Sequence, residues 1–135
     1  MKLITRDTDY AMRALCVIAR KNKKIVPVSQ ILDELGIPRP FLRKILQSLQ
    51  KASVLFSYKG KGGGFTLAKP ADKILLLEVM RIFQGRLSLN ECSLNKKTCP
   101  EVAHCPLREK ITTVEKGVFL QLRGVTVASL LNHKG

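Results

Sequence analysis

Gly36-Ile37-Pro38-Arg39-Pro40-Phe41-Leu42-Arg43-Lys44-Ile45-Leu46-Gln47-Ser48-Leu49-Gln50-Lys51 decides the fold. Gly36 supplies the left-handed turn that ends one helix, and Pro38 forbids its continuation. The next helix opens at about Arg39-Pro40, because proline is tolerated in a first turn. Leu42, Ile45, Leu46 and Leu49 then fall at i, i+3, i+4 and i+7, the mark of one buried face. The other face carries Arg43, Lys44, Gln47 and Lys51.

Upstream, residues 29–35 read as a short helix, with Ser29 as an N-cap and Ile31, Leu32 and Leu35 on one side. Before it, residues 8–21 place Ala11, Ala14, Leu15, Ile18 and Ala19 on one stripe, with Thr8 or Asp7 able to cap the start. Downstream the period changes. Val54-Leu55-Phe56-Ser57-Tyr58 and Phe65-Thr66-Leu67-Ala68 read as strands joined by Lys59-Gly60-Lys61-Gly62-Gly63-Gly64. Pro70 and Asp72 introduce a helix through residues 78–83 that Gly85 ends. Residues 86–106 are irregular. From Leu107, a long helix places Ile111, Val114, Val118, Leu122 and Val125 at steps of three and four, and Thr126 can cap a last short helix.

Short helix, glycine turn, amphipathic helix and glycine-tipped basic hairpin is the order of a winged helix-turn-helix, mainly α with a small β-hairpin wing. The stripe holds the third helix to the body and frees its polar face for a major groove roughly 12 Å wide. Arg39, Pro40, Phe41, Arg43 and Lys44 occupy its first turn and a half. Arg43 and Lys44 can reach guanine edges or phosphates. Phe41 is placed either to touch a thymine methyl or to fill the core beside Leu42. Gln47 lies a turn deeper, within reach of the backbone. Lys59 and Lys61 can follow phosphates or enter the minor groove.

The charge agrees. The 135 residues carry 24 Lys and Arg against 10 Asp and Glu, a net of +14. Residues 1–70 hold 14 of the basic and 4 of the acidic side chains. A basic half of this density suits nucleic acid, with a merely solvated face as the plainer reading. No apolar run approaches the roughly 18–20 residues of a membrane span. Met1-Lys2-Leu3-Ile4-Thr5-Arg6-Asp7 turns charged before a secretion signal could develop, so a cytoplasmic, reducing setting is expected. In such a setting cysteines bind metal or react more often than they pair.

Three of the four cysteines, Cys92, Cys99 and Cys105, lie within 14 residues as C-x6-C-x5-C. The spacing is wider than a zinc knuckle and differs from ferredoxin-like runs. A Cys99–Cys105 disulfide or three unligated thiols are the plainer readings, but an odd number favours a ligand role. Three ligands leave one position open, for which His104 and the acidic Asp7 and Asp9 of the first helix are candidates. Cys16, mid-helix among apolar neighbours, reads as an ordinary buried cysteine. No C-x-x-C, Ser/His/Asp set or phosphate-binding glycine loop is present, so an enzyme is not expected.

Thr8-Asp9-Tyr10-Ala11, the Gly36-Ile37-Pro38 segment with Phe41-Leu42-Arg43-Lys44-Ile45-Leu46-Gln47, the wing from Lys59 to Ala68, and the triple cysteine after a Gly-terminated helix together resemble one family. It is that of the iron–sulfur winged-helix regulators typified by IscR and NsrR, the Rrf-two family. The resemblance spans residues 1 to about 132. It implies a bacterial homodimer binding palindromic double-stranded promoter DNA, with a two-iron or four-iron cluster on Cys92, Cys99 and Cys105 sensing oxidants, nitric oxide or iron–sulfur status. In NsrR-like members the fourth ligand is an acidic residue of the partner's first helix, and Asp9 matches it. The histidine of IscR-like members would fall at Arg108. Residues 1–85 would form the DNA-binding unit, 86–106 the cluster loop, and 107–135 the dimerisation helix and tail. The rival within the same fold is a regulator whose cysteines bind zinc or act as thiol sensors.

Overall fold

The computed structural model describes residues 2–89 and 105–132. The buried stripe of Ala11, Ala14, Leu15 and Ile18 lies on α1 (Arg6–Ala19). Its cap is Thr5 rather than Thr8 or Asp7: the Thr5 hydroxyl accepts from the Thr8 N–H at 3.3 Å. Helix α2 (Val28–Leu35) starts one residue before the expected Ser29 cap. Its first turn closes on the Pro27 carbonyl, and Gly36 ends it at φ 66°. Helix α3 (Arg39–Lys51) runs as its periodicity requires, with Leu42, Ile45, Leu46 and Leu49 buried.

Strands β1 (Leu55–Tyr58) and β2 (Gly64–Leu67) form an antiparallel hairpin with Leu55 opposite Leu67 and Tyr58 opposite Gly64. Val26 adds a bridge beside it, exchanging two 2.9 Å hydrogen bonds with Phe65. A 3-10 turn at Ala71–Lys73 precedes α4 (Leu76–Gln84), which Gly85 stops. Helix α5 (Pro106–Leu122) and α6 (Val127–Leu131) follow, α6 with the expected Thr126 cap.

Helix α1 is the hub. It packs against α2, α3, α4, α6 and β2. Helix α6 brings Val127 into the same core, tied there by the Val127 N–H to the Ile74 carbonyl at 3.0 Å. Helix α5 differs: none of its residues is buried. Leu107 is 67% exposed and Val114 54%. Leu75, Leu77, Met80, Phe119 and Leu120 line an open groove of about 910 Å³ between α4 and α5. No helix among the described residues is long and apolar enough to cross a membrane.

Candidate nucleic-acid interface and cysteine segment

Burying the Leu42–Leu49 stripe turns the polar face of α3 outward, beside the wing. Between them is a cleft of about 560 Å³ walled by Arg43, Gln47, Gln50 and Lys51 of α3 and by Ser57, Lys59 and Phe65 of the hairpin. Three of the residues expected from the sequence, Arg43, Gln47 and Lys59, therefore meet on one concave surface. Arg39, Pro40, Lys44 and Lys61 are exposed outside its walls. Gln50 and Ser57 were missed, although the signals existed. Gln50 follows Arg43 and Gln47 at i+7 and i+3 on the same helical face, and Ser57 alternates with Phe56 and Tyr58 along β1.

The wing's glycines serve two purposes. Gly60 and Gly62 adopt φ of 89° and 79°, which an L-residue rarely takes. Gly63 and Gly64 are required by the protein's own backbone. A Cβ would overlap the Tyr58 carbonyl at Gly63 and the Val26 carbonyl at Gly64.

Phe41 is neither a core residue nor a bare one. It is 39% exposed, and the Arg6 guanidinium lies over its ring, 4.6 Å from the centroid.

Of the candidate metal ligands, Cys92, Cys99 and His104 lie outside the described residues. Cys105 is a free, half-exposed thiol at the head of α5. Asp9 projects from the first turn of α1, where Arg13 Nε donates to its Oδ2 at 3.1 Å. Both side chains are well exposed. Such an i,i+4 pair contributes only about 0.3–0.5 kcal/mol, so Asp9 can be released to another cation at small cost. Asp7 is half-buried on the same turn. Among the described residues no three His, Cys, Asp or Glu side chains converge on a metal-sized site. The donors that the described part does offer, an accessible thiol and a loosely held carboxylate, suit iron chemically. Cys16 packs against the core, and burial raises its thiol pKa, with Arg20 pulling weakly the other way.

The chain is similar over its length to known regulators. An HTH-type transcriptional regulator of Aquifex aeolicus (strain VF5) is 34% identical over 133 residues, covering 96% of this chain and 92% of that protein. CymR, the global cysteine regulator of B. subtilis, superposes with a TM-score of 0.81 at 19% identity, over all of both chains. IscR of T. potens superposes with a TM-score of 0.74 at 21% identity, covering 97% of this chain and 86% of that one. These two share the fold with this chain. Residues 4–133 match the family model described as Rrf2, iron-dependent transcriptional regulator, and the chain belongs to that family of DNA-binding transcription regulators, not to an enzyme family.

Proposed function

We propose that the protein is a homodimeric repressor. It would read a two-fold symmetric promoter site through α3 and the wing, under the control of an iron–sulfur cluster held by Cys92, Cys99 and Cys105. The cleft that joins Arg43 and Gln47 to Lys59 carries the DNA half of this reading. A helix seated in the major groove puts Arg39, Pro40, Phe41, Arg43 and Lys44 at base edges and phosphates. Gln47, Lys59 and Lys61 then meet the backbone beside it. The exposed apolar residues of α5 support the dimer, because a stripe of this length is normally covered, here by a second copy.

The cluster half rests on donor chemistry and on the iron-dependent family. Bound there, a cluster would supply iron labile to oxidants or nitric oxide. Asp9 of the partner subunit would complete the ligand set as a harder, weaker donor than thiolate. The cysteine segment joins α4 of the DNA-binding body to α5. A rearrangement of that segment would change the spacing of two recognition helices, to which a dimer reading two half-sites is sensitive.

A second reading keeps the DNA-binding half and gives the cysteines a zinc ion or thiol chemistry. The accessible Cys105 thiol favours it, and CymR, named a global cysteine regulator, has the same fold. Anaerobic purification with iron, sulfide and zinc assays separates the two. Iron with visible absorption, abolished by Cys→Ala at positions 92, 99 or 105 and weakened by Asp9→Ala, is the expected result. Stoichiometric zinc, or no metal, would select the second reading. Arg43→Ala or Lys44→Ala should each weaken operator binding by about 1–3 kcal/mol for every base edge that the side chain reads. Replacing Lys59 and Lys61 should instead flatten its salt dependence.

A further inference from the structure

We infer that Arg6, at the start of α1, is a DNA-phosphate contact held in place by the ring of Phe41; this rests on the DNA-binding reading above. Arg6 is exposed, and its guanidinium lies 4.6 Å from the Phe41 centroid, within the distance at which a ring quadrupole attracts a cation. Among the described residues it has no carboxylate partner, whereas Arg13, two turns on, is paired with Asp9. The ring engages the cation, and among the described residues no carboxylate takes up its N–H donors. Those donors are the part of an arginine that binds phosphate.

The backbone beneath it is fixed too. Gln84, the last residue of α4, accepts from the Thr5 N–H at 3.1 Å and from the Thr8 hydroxyl at 2.7 Å. It also donates to the Leu3 carbonyl at 2.9 Å. Arg6 sits inside this clasp. Its cation is thus pre-positioned next to Phe41, on the first turn of α3. When that turn enters a major groove, the neighbouring element meets the groove wall, which is phosphate. Arg6 thereby extends the basic surface of α3 onto α1 and fixes how deeply the recognition helix is seated.

The test uses the full-length protein and a short duplex selected by the wild type from a random pool, titrated between about 50 and 200 mM salt. Arg6→Ala should bind about three- to tenfold more weakly and lose about 0.9 of the salt slope per protomer, with unchanged thermal melting. Arg6→Lys should keep the slope and lose part of the affinity, because an ammonium keeps the charge but not the planar fork. Phe41→Leu should weaken binding more in the wild type than in Arg6→Ala, where only the ring's own groove contact remains to be lost; equal losses in the two backgrounds would separate Phe41 from Arg6. Arg6→Ala with wild-type affinity and slope, while Arg43→Ala is impaired, would overturn the Arg6 assignment and leave the DNA-binding reading intact. Failure of the wild type to select any duplex would overturn both.

Discussion

Thr8 is wholly buried, and its hydroxyl is satisfied by Gln84, 76 residues away. Local reading takes a threonine at a helix start for a cap; a partner so distant leaves no local trace. Cys16 reads from its apolar neighbours as a buried cysteine; in the fold it packs against the core but is only partly buried, and its chemistry follows from that place. Burial disfavours the thiolate, so the folded-state pKa is raised. The stability this contributes is fully present below the ordinary thiol pKa and is lost as the pH rises through the folded value. The sensitive window is therefore alkaline. At neutral pH, Cys16 should react with a thiol reagent far more slowly in the native protein than in denaturant. Cys16→Ala should keep any iron chromophore. Rapid native labelling, read by peptide mass, would instead count Cys16 among the reactive thiols.

Among the elements, α3 was the most legible, because every apolar position of its stripe points the same way and Pro40 occupies a first turn that can spare an N–H. The start of α2 was less so. The Pro27 carbonyl accepts from both Gln30 and Ile31, which a side-chain cap motif does not reveal. The wing was legible as a hairpin, but not the Val26 bridge, which adds a minimal third strand beside β2 toward its loop end. That bridge explains Gly64. Its strand approaches the Val26 backbone too closely for any side chain. Gly64→Ala should cost about 1–3 kcal/mol, as overpacking does, read as a lower denaturant midpoint. Gly124→Ala, which meets open space, is the control. Equal midpoints for the two variants would mean that the bridge gives way without penalty.

At the scale of the whole molecule, the DNA-facing half was legible because one chain folds it, with its apolar periodicity and its charge in agreement. The proposed assembly and cluster site rest on what is left over: apolar residues on α5, none of which is buried, and an odd number of thiols in the cysteine segment. The exposed Val114 is the cleaner probe of the proposed dimer, because the protomer does not use it, whereas Val118 is half-buried in the single chain. Val114→Asp should leave the protomer folded, with circular dichroism and melting close to wild type. In a second copy's interface the same carboxylate would be buried without a partner, which costs about 3–5 kcal/mol. Sedimentation velocity at micromolar concentration should then show a wild-type dimer and a variant monomer. The variant should bind a single half-site but lose the tight binding of the paired site, since two linked binding events become two separate ones. A wild type that sediments as a monomer, or a variant that stays dimeric, would remove α5 from the interface.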